Sequence, residues 1–218
     1  MFIGHYAVAL AAKKAAPKTS FGTLFLAAQF VDLLWPLLLL LGLEHVRIDP
    51  GNTAFTPLDF YDYPITHSLL AVTGWSLAFG LIYFALRRDA KASWIVGLAV
   101  LSHWVLDFLT HRPDLTIAPG LQVYVELRLW KSLAGTIIVE GALFIAAVVL
   151  YTRTTVAADR TGRYAFWALI VFISLGYIAN FMSRQQPPSS VTALAIGGLT
   201  QWLVIAWAYW IDRHRRVP

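Results

Sequence analysis

The sequence contains no cysteine. That excludes disulfides, a thiolate-ligated metal and a thiol nucleophile. Charge is scarce as well. Asp, Glu, Lys and Arg make up 13% of the 218 residues, against about 25% in an average soluble domain. No internal repeat and no low-complexity tract interrupts the chain. A basic segment ahead of the first apolar stretch is missing too. In FIGHYAVALAA, residues 2–12, the lysines follow the apolar part. The stretch is therefore not a standard secretory signal, and it is too short to cross a bilayer.

Hydrophobicity fills the space that charge leaves. Apolar residues are 58% of the chain, and the mean hydropathy is +0.63. These values describe an integral membrane protein, all-α, with residues 1–218 forming a single domain. A spanning helix needs roughly 20 mostly apolar residues. Six segments meet that length: 21–43, 65–86, 92–111, 132–152, 164–182 and 190–211. The expected fold is a six-helix polytopic membrane bundle. Its motif-bearing half is 1–115, its C-terminal helices lie in 132–211, and a short helix at residues 2–12 is half-buried in it.

The net charge of +5 is a matter of topology rather than of nucleic acid, for which no partner is expected. Lys13, Lys14, Lys18, Arg87, Arg88, Lys91, Arg153, Arg160, Arg163, Arg213, Arg215 and Arg216 fall in alternate connections. Only Arg47, Arg112, Arg128, Lys131 and Arg184 fall in the others. The positive-inside rule then places the C-terminus in the cytoplasm of a bacterial inner membrane. The two longer loops, 44–64 and 112–131, lie outside.

Ionisable groups inside spans are costly, roughly 2.5–3.5 kcal/mol for an Asp at a helix centre on insertion scales. Here they are His5, Asp32, His67, His103, Asp107, His111 and Glu140, with no Lys or Arg deep in a span to balance them. At about 1.5 Å per residue, Asp32 stands roughly 16 Å and His103 roughly 15 Å above the cytoplasmic face, with Asp107 higher. Glu140 lies roughly 12 Å below the outer face on the same measure. If residues 2–12 run back up from Lys13, His5 reaches the same zone. An amphipathic helix lying on the surface is the alternative reading of that segment.

The stretch LSHWVLDFLTHRPD, 101–114, places His103, Asp107 and His111 one turn apart on one helix face. His and carboxylate suit zinc, and also manganese or iron. A divalent ion, zinc first, is thus the expected cofactor. A hydrogen-bonded polar network and a proton or ion relay are the alternatives. His111, at the helix end, is also placed to cap it. In YPITHSLL, 63–70, Thr66 or Ser68 is placed to orient His67, and Thr66 is also a candidate N-cap. Asp59 and Asp62 are further candidate ligands, or simply solvated loop acids.

These elements resemble the YdjM-type family of bacterial inner-membrane proteins, described as metal-dependent hydrolases. The resemblance covers roughly residues 1–115 and rests on GHYAVALAAKK, AAQFVDLLWP, PITHSLL and LSHWVLDFLTH. It implies His5, Asp32, His67, His103 and Asp107 as metal ligands. Where the family has a P-D ahead of a further acid and an H-R-G before T-H-S, this chain reads VDLLW and YDYP. It therefore lacks one carboxylate and one arginine of the pattern. A fainter similarity in motif order links the chain to the all-helical zinc-dependent phospholipase C and nuclease group.

The reading that follows is a metal-dependent hydrolase working in the outer part of the membrane. Asp107, and Glu140 from the less similar half, are its candidate catalytic carboxylates. The expected substrate is a lipid or lipid-like (phospho)ester, since the site lies at bilayer depth. A metal or proton transporter and a scaffold with a structural metal are the other two readings.

Overall fold

A computed structural model describes residues 1–121 and 123–218 of the chain. Helix α1, Ile3–Ala15, is followed by α2, Phe21–Leu40. Strands β1, His45–Ile48, and β2, Leu58–Asp62, form an antiparallel hairpin. A short helix α3, Pro64–His67, leads into α4, Leu69–Arg87, and then α5, Ala90–Thr110. After the loop come α6, Leu133–Thr154, strand β3, Val156–Ala157, and α7, Arg160–Met182. The chain ends with α8, Val191–Leu199, α9, Gln201–Asp212, and strand β4, Arg215–Arg216, which pairs with β3. Six spans are long and apolar enough to cross a membrane: α2, α4, α5, α6, α7 and Val191–Asp212.

Two of the expected spans are broken. The second divides at Ser68, which is extended and caps α4 through its side chain, accepting from Ala71 N at 3.2 Å. Thr66 is therefore not the N-cap of the span. The freed Leu69 and Leu70 N–H groups donate to the Thr116 and Ile117 carbonyls of the following loop. Inside a membrane protein such a break persists only where protein replaces the lost partners. The sixth span divides at Thr200, between α8 and α9.

α1 is buried more deeply than a half-buried helix, with Ile3, Gly4, His5, Tyr6, Ala7, Ala9 and Leu10 inside. It packs against α2, α5 and α6, so it is not a helix lying on the surface. Its N-terminal N–H groups have no cap of their own. Glu140 on α6 supplies one: its Oε2 accepts from Phe2 N at 2.8 Å and Gly4 N at 3.4 Å. A carboxylate is suited to that position, where orphan donors and the helix dipole coincide.

The two ends of the bundle differ in character. At the basic end, Lys13 Nζ donates to Thr19 O at 2.7 Å and pairs with Asp212 at 3.2 Å. Arg215 donates to Thr155 O and Gly162 O and stacks on Phe166. At the other end the β1–β2 hairpin covers α2 and α8, with Val46, Leu39 and Ala195 buried together. The alternation in HVRI, one buried position between exposed ones, fits a strand with one covered face. On the outside of the bundle α4 touches α5 closely. A Cβ at Gly97 would stand 3.0 Å from Ser76 O, and Ser76 Oγ donates to Gly97 O at 2.8 Å.

Candidate metal centre

Four helical segments bring the expected ligands together. α1 carries His5, α2 Asp32, α3 His67, and α5 both His103 and Asp107. Asp32, His67 and His103 form one group whose ligand atoms all lie within 4.8 Å of one another. His5, His103 and Asp107 form a second. In the first, Asp32 Oδ1 is 3.4 Å from His67 Nε2 and 3.5 Å from His103 Nε2. Zinc bonds of about 2.0–2.2 Å in a tetrahedron separate ligand atoms by about 3.3–3.6 Å. Two imidazoles and one carboxylate also make the three-ligand set that leaves a catalytic zinc a free position.

Asp107 joins the two groups. Its Oδ2 lies 3.4 Å from His103 Nε2 and 3.9 Å from His67 Nε2. Its Oδ1 lies 3.1 Å from His5 Nε2 and 3.6 Å from His111 Nε2, and also meets the Met1 amino group. Among the described residues, no Lys or Arg side chain pairs with Asp32 or Asp107.

The other ring nitrogen of three imidazoles is already committed. His103 Nδ1 is 2.9 Å from Ala28 O, a group that can only accept, so the proton is on Nδ1. His67 Nδ1 is 2.6 Å from Thr66 Oγ1, whose own hydrogen goes to Glu44 Oε2 at 2.7 Å. His67 is therefore the donor there. His111 Nδ1 donates to Asp114 Oδ1 at 2.9 Å, which also accepts from Tyr63 Oη at 2.7 Å. Burial and the Asp114 carboxylate hold the Tyr63 hydroxyl well above its ordinary range, so it keeps that proton. His5 Nδ1 has no partner.

With a neutral ring, each of these three Nε2 atoms presents a lone pair to carboxylate oxygens. Acceptor against acceptor is repulsive unless a cation lies between them. Backing of a metal-binding imidazole by carbonyl or carboxylate, direct or through a hydroxyl, is the usual arrangement around an ion. Asp32 is the open member: its side chain is 27% exposed, against 7% or less for His67, His103 and Asp107. It faces a cavity of about 560 Å³ that His67, Asp107 and His111 also line.

The remaining candidates stand elsewhere. Asp59 pairs with Arg47 and Arg112, and Asp62 with His45 at 2.8 Å. Both serve the hairpin rather than the cluster. Glu140 Oε2 is taken by the N-terminus of α1, and Oε1 is without a partner. His111 ends α5, and its Nε2 lies 3.6 Å from Asp107 Oδ1. Trp130 is buried and packs on the His111 ring at 4.2 Å. Glu44, Tyr63 and Asp114 were not singled out in the sequence for these contacts. Asp114 had a usable signal, standing three residues after His111; Glu44 had none beyond its place at the end of a span.

The model of the YdjM inner membrane protein family matches residues 2–187, and the chain belongs to that family. The match extends well past residue 115, takes in Glu140, α6 and α7, and stops ahead of α8 and α9. With its six apolar spans, the chain is a multi-pass inner-membrane protein. No curated protein and no solved structure matches it.

Proposed function

We propose that this member of the YdjM family is a metal-dependent hydrolase of membrane-embedded esters or phosphoesters. The observation that carries the reading is the convergence of lone pairs. Three imidazoles, their Nδ1 protons committed elsewhere, aim Nε2 at Asp32 and Asp107; no Lys or Arg side chain is paired to either, and the Met1 amino group meets Asp107 alone. Asp32, His67 and His103 would hold a divalent ion, zinc first, with manganese or iron compatible with the same donors. His5, Asp107 and His111 would flank a second position. A bound ion would supply an acidified water and polarise the ester oxygen.

The chain's own residues do the rest. Asp107, with an oxygen turned to each group, is placed to take a proton from water in the cluster. Glu44 and Asp114 fix the orientation of His67 and His111 through Thr66 and directly. Glu140 anchors α1 and thereby His5, while its free Oε1 makes it the second candidate for holding a proton. Positive residues at the opposite end would put the cluster toward the outer leaflet.

The test is direct. Metal content of the detergent-purified protein is measured by mass spectrometry beside His103→Ala and Asp107→Ala, and both are offered panels of lipid esters and phosphoesters. Metal bound by the wild type alone, with hydrolysis that needs it, supports the reading. Metal without hydrolysis but with flux into proteoliposomes would replace it with transport.

A further inference from the structure

The cavity beside the cluster has a shape that the metal chemistry alone does not explain. It runs from Asp32 and His67 to a cleft between α7 and the broken helix α8–α9. Phe172, Gly176, Ala179 and Ser183 form its α7 wall, at spacings that keep them on one helix face. Ala193, Gly197, Thr200 and Val204 form the opposite wall. Phe172 is 51% exposed, and Ala179, Ala193, Gly197 and Thr200 are exposed as well. All of these lie on spans, so the mouth opens sideways into lipid rather than only into water. Phe172 stands ten residues before the end of α7 at Met182, roughly 15 Å down the helix. The cleft thus reaches about the middle of a bilayer core of roughly 30 Å.

Gln29 gives the second observation. It lies on α2 one turn before Asp32, on the side of the cluster nearer the middle of the membrane, and it lines the cavity. It is 1% exposed, and neither its Nε2 nor its Oε1 has a partner. A buried amide left without hydrogen bonds is costly, and a hydrogen-bonding group entering the cavity would remove that cost.

We propose that the cleft takes one acyl chain of a membrane glycerolipid, entering sideways from the leaflet at the hairpin end. The Gln29 carboxamide donates to the ester carbonyl at the head of that chain. The groups along the cavity carry this: the cluster and, one turn below it, the amide stand beside an apolar cleft that continues down to Phe172 and Val204. A headgroup, an ester and an acyl chain have the same order along a lipid. The proposal names the substrate of the hydrolase reading and rests on that reading only for the fate of the headgroup.

Photolabelling tests it without turnover. The full-length protein is reconstituted in vesicles of phosphatidylethanolamine and phosphatidylglycerol. A phosphatidylglycerol probe carries a diazirine midway along one chain, and labelled peptides are mapped by mass spectrometry. Gly197→Trp fills the cleft, and a Cβ at that position meets nothing within 4 Å, so the helix itself has room for it. Leu81→Trp, on the lipid-facing side of α4, is the control.

The expected result is label concentrated on residues 172–183 and 193–204, lowered about tenfold by Gly197→Trp alone. An ester-linked probe should outlabel its ether-linked analogue in the wild type and lose that advantage in Gln29→Leu. Label spread evenly over the lipid-facing helices and unmoved by Gly197→Trp overturns the cleft. An ester preference that persists in Gln29→Leu overturns the role of Gln29. Cleft labelling without hydrolysis of any ester sinks the hydrolase reading alone. Hydrolysis of a water-soluble ester with even labelling sinks the cleft alone.

Discussion

His5 and His103 lie face to face, their ring centroids 3.5 Å apart and their planes within 2° of parallel. Their Nε2 atoms reach opposite oxygens of one carboxylate, Asp107. Two imidazolium rings at that spacing would repel each other in a buried setting. Two neutral rings stack without penalty, and only neutral rings offer lone pairs to an ion.

Removal of the proposed ion should loosen the bundle. An ion at 100 times its dissociation constant adds about 2.7 kcal/mol to the folded state. Chelation should therefore lower the melting temperature of the wild type, and zinc add-back should restore it. Asp32→Asn and His103→Ala should melt near the chelated wild type and respond to neither treatment. Thermal unfolding followed by intrinsic tryptophan fluorescence reads this, and a melting point indifferent to chelator in the wild type would count against a bound ion.

Thr66→Val keeps the shape of the side chain but severs the path from His67 to Glu44. Loss of such backing usually weakens metal affinity by about 10–100-fold. Competition with a chromogenic chelator should show a drop of that order, with Thr66→Ser restoring most of it. Unchanged affinity would mean that His67 needs no orientation.

Glu140→Gln keeps an acceptor for the N–H groups of Phe2 and Gly4, whereas Glu140→Leu strands them. Stranding a buried donor costs about 1–3 kcal/mol. The melting temperature should hold in the first variant and fall in the second. We expect turnover to survive Glu140→Gln. Lost turnover at an unchanged melting temperature would instead make Glu140 the proton acceptor.

Glu126, in the loop beyond α5, is pushed up to about 7 from 4.5 by burial and by the nearby Asp114 carboxylate. The folded state therefore holds a proton that the unfolded chain has released. This stabilising contribution is complete below pH 4.5 and is lost as the pH rises through 7. Glu126→Gln should gain on the wild type in melting temperature as pH rises from 4.5 to 8, and level off thereafter. Parallel curves across that range would contradict the assignment.

Much of this arrangement was legible in the chain because the membrane makes polar residues conspicuous. Asp32, His103 and Asp107 stand out in spans that otherwise carry Leu, Val, Ala and Phe, and helical rise alone put them at one depth. His5 could be joined to them because Lys13 had to lie at the basic end. The hairpin was missed, although HVRI and LDFYD alternate around a Asp-Pro-Gly-Asn turn, because a loop between spans carries no expectation of strands. Glu44 and Asp114 were missed for a different reason. Acids in loops are ordinary, and only folding shows that these two are 1% and 5% exposed. The breaks at Ser68 and Thr200 escaped because hydropathy averages over a window and does not register one residue in an extended or turn conformation.

α1 is 13 residues long, too short to be held by lipid as a span of its own. Its neighbours α2, α5 and α6 all follow it in the chain. Its seat therefore does not exist until those helices have been inserted and have come together, and α1 must wait at the basic surface until then. His5 is delivered only by that final docking. A half-assembled chain lacks one side of the cluster, so the complete set of His and Asp side chains comes into being only with the complete fold.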